Sequence, residues 1–361
     1  MLLYIFDYLS QFYSGFNVFQ YLSLRIVLAA LTGLFLSLIM TSLLIRWLNT
    51  KKLYQSIRSD GPKSHITEKS KTPSMGGIII IISVIVTTLL WSELQNRYIW
   101  VLLFILITFG IIGFYDDYIK FIKSSSDGIK GRSKFFFQIL FSTLAIIYLY
   151  LNYIDTTELT LILPFFKDFS FYMGLLFIPW CIFIIVASSN AVNLTDGLDG
   201  LAILPCILIA AAFVVFAYVE GNFNIANYLL IPYLKDASEI SIFAAAIVGS
   251  GLGFLWYNSY PAEIFMGDVG SLSLGAALGT MAVLLRQEIA FAIMSGVFIA
   301  EVLSVIIQVL YFKRTKKRIF KMSPLHHHFE LSGWAEPKII VRFWIITFIL
   351  VLIALSSLKI R

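Results

Sequence analysis

The sequence predicts an all-α integral membrane protein, a single polytopic domain over residues 1–361 built from about ten transmembrane helices. Three observations predict it. The chain is 59% hydrophobic and only 13% charged, too apolar for a water-soluble domain of this size. Its apolar residues fall in ten runs of about the 20 residues that span a bilayer. Its positive charge collects in alternate connections between those runs.

The runs lie near 21–46, 74–92, 98–115, 135–153, 172–188, 200–219, 241–257, 270–286, 289–312 and 338–357. Several are rich in Ile, Val and Phe, which in water favour strands. Their length and the absence of alternation decide for helix, because hydrocarbon offers no partner for backbone groups outside the segment. Residues 1–20 precede the first run. Their aromatics (Tyr4, Phe6, Tyr8, Phe12, Tyr13, Phe16) suit an interfacial segment, and no basic n-region or small-residue cleavage site marks a signal peptide. Cys181 and Cys206 both sit in apolar runs, so no disulfide framework is expected.

Orientation follows from Lys and Arg. Stretches 46–73, 116–134 and 313–337 hold 7, 5 and 6 of them, 18 of the 27 in the chain. These connections are expected to be cytoplasmic and both termini periplasmic. The net charge of +6 is then a topology signal beside anionic lipid, and a nucleic-acid partner is not expected.

The same alternate connections carry the polar motifs. The first ends in Lys71–Gly77 (KTPSMGG), where Pro73 suits a first helical turn and Lys71 a phosphate. An ordinary positive-inside lysine is the plain alternative. The third run ends in Asp116-Asp117, a pair of adjacent acids expected at a helix C-terminus. The dipole there disfavours anions, so a cation such as Mg²⁺ or a shared proton would relieve the pair; solvation beside Lys120 and Lys123 would also serve.

The next such connection, Asn190–Gly200 (NAVNLTDGLDG), packs Asn190, Asn193, Asp196 and Asp199 into ten residues. Helix capping needs one such residue rather than four. If a helix starts here, Asp196 and Asp199 share a face. The loop lacks the ligand order and distal Glu of an EF-hand. Phe265–Ser271 (FMGDVGS) places Asp268 among glycines ahead of the eighth run, where backbone can approach a ligand and free N–H groups can bind phosphate. It is not a Walker A loop. Asp268 is the expected metal ligand.

The last connection holds three of the four histidines, His326, His327 and His328. Consecutive side chains diverge and no Cys accompanies them, which argues against a Zn²⁺ site. Donation to a pyrophosphate fits better, with the basic stretch Lys313–Lys321 adding a positive field. Glu301 and Gln308 lie inside the ninth run, where a hydrogen bond between helices accounts for them as well as function does; they stand outside the candidate site.

With these motifs assembled, the chain resembles the polyprenyl-phosphate N-acetylhexosamine-1-phosphate transferases over nearly its whole length. The resemblance includes Tyr13–Phe19 (YSGFNVF), Asn190–Ala202, Phe265–Ser271, Pro324–Glu330 (PLHHHFE) and Val341–Ile346 (VRFWII). The PLHHHFE stretch is that of the muramyl-pentapeptide branch. The resemblance implies transfer of phospho-N-acetylmuramoyl-pentapeptide from its UDP donor to undecaprenyl phosphate, releasing UMP, at the cytoplasmic face of the bacterial inner membrane. It also implies Mg²⁺, a lipid-holding groove and a homodimer. By position it makes Asp268 the Mg²⁺ ligand, with Asp116 or Asp117 as a further one. Asp116, Asp117, Asp268 and His326 would be catalytic. Lys71, Asn190, Asn193, Asp196, Asp199, Asn258, Phe265, Gly267, Ser271, His327 and His328 would contact substrate. Two rivals share some features. A sibling using UDP-N-acetylglucosamine would share the acids but not the histidine pattern. An ion-coupled transporter would carry its acids near the midplane, within inverted repeats that this sequence does not display.

Overall fold

A computed structural model of the protein describes residues 1–51, 72–123, 128–152, 159–166 and 170–359. Fourteen α-helices are labelled here in chain order. They are α1 Leu2–Ser10, α2 Leu22–Lys51, α3 Gly77–Trp91, α4 Arg97–Lys123, α5 Gly131–Asn152, α6 Phe177–Thr195, α7 Ile203–Glu220 and α8 Phe223–Leu229, then α9 Ile240–Asn258, α10 Gly267–Leu284, α11 Glu288–Met294, α12 Gly296–Thr315, α13 Leu325–Glu330 and α14 Glu336–Ser356. Among the described residues there are also one small antiparallel pair, β1 Thr160–Ile162 with β2 Ser170–Tyr172, and three 3-10 helices, Ser14–Gln20, Gly174–Leu176 and Ala237–Glu239.

Among the described residues nine helices are long and apolar enough to cross a membrane, and α3 is a shorter apolar helix of 15 residues. Together they match the ten predicted runs. Helix α2 shows how such a helix sorts its faces. Leu31, Phe35, Ile39 and Leu43 recur every fourth residue on an exposed stripe, as lipid contact requires, while Ser37 and Thr41 on the other face are buried.

Four boundaries differ from the sequence reading. Helix α4 runs on to Lys123, so Asp116 and Asp117 lie within the helix and not at its C-terminus. The hydropathy of the run ends before them, but Asp116 and Lys120 join at i,i+4 across the next turn and continue the helix. Helix α6 extends to Thr195, which puts Asn190 and Asn193 on a helix and not in a loop. Asp196 and Asp199 then fall in the turns before α7, so they share no helical face. The ninth run is two helices, α11 and α12, meeting at Ser295.

The core is organised around α10, whose residues from Val269 to Leu284 are all buried. Helices α4 and α6 pack on either side of it. Small residues let the backbones close up: a Cβ on Gly113 of α4 would collide with the Asp268 backbone, and one on Gly275 of α10 with Ser188. Ser188 and Ser189 Oγ then donate across the α6–α10 seam to the carbonyls of Gly275 and Leu272, at 2.8 and 2.9 Å. This tight three-helix contact brings the polar ends of α4, α6 and α10 together at one end of the bundle. Other polar ties lie away from these ends, including the Arg25–Glu239 pair at 2.7 Å and Asn96 donating to the Asp236 carbonyl.

Candidate active site

Two helices supply three carboxylates. Asp116 and Asp117 come from the last turns of α4, both buried. Asp268 comes from the first turn of α10. One oxygen of each lies within 4.8 Å of the others. Asp117 Oδ2 accepts the Val269 backbone N–H at 3.2 Å, so it also caps the free N–H groups of α10. Asp116 Oδ1 accepts from Ile129 N–H at 2.8 Å, which holds the segment entering α5.

Three acids this close, two of them buried, need positive charge. Lys120 supplies it from α4, with Nζ at 2.6 Å from Asp116, 3.1 Å from Asp268 and 3.6 Å from Asp117. Lys134, in the first turns of α5, sits 2.6 Å from Asp268 and 3.8 Å from Asp116. Neither lysine stood in the site read from sequence. In the sequence Lys120 reads only as a neighbour that solvates the acid pair, and Lys134 carries no local mark, because the Asp268 that both reach is over 130 residues away in the chain.

The predicted polar residues divide into two groups. Asn193 joins the cluster: its Nδ2 donates to Asp268 Oδ1 at 2.9 Å and to Ser271 Oγ at 2.8 Å, and Ser271 Oγ donates to the Gly267 carbonyl. Asp196, at the end of α6, faces the same charges. Burial pushes its carboxyl up to about 8, helped by the nearby charges of Asp268, Asp117 and Asp199. Asn190 lies one turn behind and donates to Gln138 of α5 at 2.8 Å.

The second group holds loops. Asp199 Oδ2 accepts from Ala262 N–H at 2.9 Å, and Asn258 Nδ2 donates to the Ile264 carbonyl at 2.8 Å. Both pin the segment between α9 and α10 that delivers Phe265, Gly267 and Asp268. Lys71 lies outside the described residues, but the segment after it is placed. Phe265 N–H donates to the Pro73 carbonyl at 2.8 Å, and Gly76 N–H returns to the Phe265 carbonyl at 2.9 Å. Pro73 therefore sits in an extended bridge instead of the first helical turn expected. Gly267 has φ +73°, and a Cβ there would meet Asp117 and Ser74, so this position needs glycine for both its conformation and its space.

The three histidines occupy the short helix α13, where the rings of His326 and His327 do not diverge as expected but lie 4.2 Å apart between centroids. His326 is buried, its ring against Gly197, one residue from Asp196. His327 Nδ1 lies 2.7 Å from Glu330, and His328 Nδ1 accepts from Lys321 N–H at 3.1 Å. Glu301, which stood outside the sequence-read site, anchors this helix: its carboxylate accepts the N–H groups of Leu325 and His326.

The donor set suits a hard divalent cation: three carboxylates, no sulfur, and oxygens on one small volume. Around it stand two ammonium groups and a helix N-terminus, components that bind and polarise a phosphate. Two comparisons bear on this arrangement. Residues 99–286 match the profile of glycosyl transferase family 4. Residues 69–81, the segment that bridges to Phe265, match phospho-N-acetylmuramoyl-pentapeptide-transferase signature 1.

Proposed function

Since the chain belongs to glycosyl transferase family 4 and is a phospho-N-acetylmuramoyl-pentapeptide transferase, a phosphotransferase of peptidoglycan synthesis, we propose its substrates, its metal and its site. The donor is UDP-N-acetylmuramoyl-pentapeptide and the acceptor undecaprenyl phosphate. The products are the lipid-linked phospho-N-acetylmuramoyl-pentapeptide and UMP. The site faces the cytoplasm of the bacterial inner membrane, the side to which the basic connections assign it. A homodimer is the assembly this reading expects.

One observation carries the reading: Asp116, Asp117 and Asp268 converge from two helices at the end of the bundle where the signature segment folds in. Phosphoryl transfer is mostly positioning and charge neutralisation. Asp268, with Asp116 and Asp117, would hold Mg²⁺, which when bound offsets charge on the diphosphate and the departing UMP. The chain's own residues do the rest. Asn193 orients Asp268 through one oxygen and leaves the other facing the cluster. Lys120 and Lys134 supply cations for two anionic reactants. The Pro73–Phe265 bridge and the Asp199 and Asn258 contacts fix the loop and the start of α10, from which Phe265, Gly267 and Ser271 would meet the nucleotide-sugar. His326 stands on the Asp196 side, held by Glu301, and with His327 and His328 it would meet the pyrophosphate or the muramyl-peptide side of the donor.

The test is UMP release by the purified protein in detergent with undecaprenyl phosphate and Mg²⁺. Release with UDP-N-acetylmuramoyl-pentapeptide and not with UDP-N-acetylglucosamine, abolished by EDTA, is expected. Release with the N-acetylglucosamine donor, or release that survives EDTA, overturns the substrate or the metal assignment respectively.

A further inference from the structure

Lys120 and Lys134 are in the same place that a divalent ion would take. Lys120 Nζ reaches all three carboxylates, and both ammonium groups lie on the same oxygen, Asp268 Oδ2, at 3.1 and 2.6 Å. The other oxygen of Asp268 is held by Asn193. A cation coordinated by Asp268 Oδ2 and Asp116 Oδ2 therefore needs the two oxygens that the lysines hold. Two ammonium groups and a divalent ion on one oxygen repel each other at close range in a site of reduced dielectric. Lysine, unlike arginine, is a point charge on a flexible four-carbon stem and can swing away without losing a bidentate geometry. Both side chains retain some solvent exposure, so each has somewhere to go.

We propose that Lys120 and Lys134 are built-in competitors of the metal. They neutralise the three acids when no divalent ion is bound, and the ion displaces them toward the diphosphate of the incoming donor. Metal binding would then create the cationic phosphate site as well as fill the acidic one, so that the two are linked by the same two side chains. This rests on the reading of the acids as metal ligands given above.

The experiment is titration of the purified full-length chain in detergent with Mn²⁺, counting free ion by paramagnetic resonance, with no substrate present. Lys120→Gln and Lys134→Gln are each expected to bind Mn²⁺ about tenfold more tightly than wild type. Lys134→Arg keeps the charge, and Lys123→Gln removes an exposed one a turn away; both are expected to stay within about twofold of wild type. A merely structural role would weaken metal binding in the glutamine variants. Unchanged or weaker binding in both overturns the proposal, as does equal tightening in Lys134→Arg. Asp268→Asn separates the two levels: lost binding there with unchanged lysine variants removes the competition alone. Wild-type binding in Asp268→Asn removes the metal assignment and the competition together. Should Lys120→Gln fail to fold in metal-free buffer, the Lys134 pair carries the comparison. Its second readout is the rise in melting temperature on adding Mn²⁺, expected to be larger in Lys134→Gln than in wild type.

Discussion

Glu301 and His326 meet where a membrane helix supports a loop helix. The Glu301 carboxylate, fully buried in α12, accepts the Leu325 N–H at 2.6 Å and the His326 N–H at 3.2 Å, and lies 3.3 Å from His326 Nδ1. A buried acid at a helix N-terminus is both satisfied and satisfying: it fills free donors and sits at the positive end of the dipole. Hydrogen bonds to a charged group are worth about 1.5–3 kcal/mol each. Glu301→Gln keeps the shape and loses the charge, so it should lower stability by about 2 kcal/mol. It should also cut turnover by tenfold or more by loosening His326 over Gly197. Melting curves and UMP release measure the two effects. Full activity would show that α13 is held by other contacts.

Asp268 differs from the other two acids in having both lysines within 3.1 Å and in accepting from Asn193. Asp268→Asn should reduce kcat by at least about 100-fold, some 2.7 kcal/mol of barrier, with little change in melting temperature. Asp117→Asn should cost stability as well as turnover, because Asp117 also caps α10 through Val269. Steady-state kinetics beside melting curves tests the pair. An Asp117 variant that loses only turnover would remove the capping role.

How far the sequence could show this site depends on the range of the interactions. Hydropathy located all ten apolar runs, because lipid fixes the length a helix must have. It placed α4's end at residue 115 because the stretch beyond is polar, although the Asp116–Lys120 pairing keeps it helical. The acids stood out as unusual local density. Lys134 did not, since its partners are in distant segments; Lys120 reads as ordinary solvation of the acid pair, and Glu301 as a bond between helices, because their contacts to Asp268 and to α13 are long-range. The Pro73–Phe265 bridge joins residues almost two hundred positions apart and left no pattern in either segment.

Gly113 sets the distance between α4 and α10. Its missing side chain leaves room for the Asp268 backbone. Gly113→Ala should force the helices apart at a cost of about 1–3 kcal/mol, and pull Asp116 and Asp117 away from Asp268. The expected signature is a loss of Mg²⁺-induced thermal stabilisation larger than the loss of stability itself. An alanine variant with normal metal response would show that the seam can relax elsewhere.

Asn258 and Asp199 hold the α9–α10 segment through backbone groups of Ile264 and Ala262. Removing the Asn258 side chain should cost about 1 kcal/mol, the net worth of one neutral bond, and removing the Asp199 carboxylate about 1.5–3 kcal/mol. Its kinetic effect should appear as a raised KM for the nucleotide-sugar, since the loop carries Phe265. A kcat effect with unchanged KM would instead place these residues at the reacting phosphates.

Asp196 gives the site a pH dependence of definite sign. Its carboxyl is pushed up to about 8 by burial and by the charges of Asp268, Asp117 and Asp199. The folded chain therefore keeps a proton that the unfolded chain releases near pH 4. Between these values the folded state binds more protons, so stability falls as pH rises, and the fall ends once pH passes about 8. Asn is a neutral mimic of the protonated acid at every pH. In EDTA, Asp196→Asn should melt close to wild type at about pH 5 and clearly above it at about pH 8.5. Adding Mg²⁺ offsets the charge of the neighbouring acids, so the gap at high pH should narrow. A gap that is constant across this range would mean that Asp196 is ionised throughout, and that its neighbours' charge is neutralised more completely than the lysine contacts alone provide.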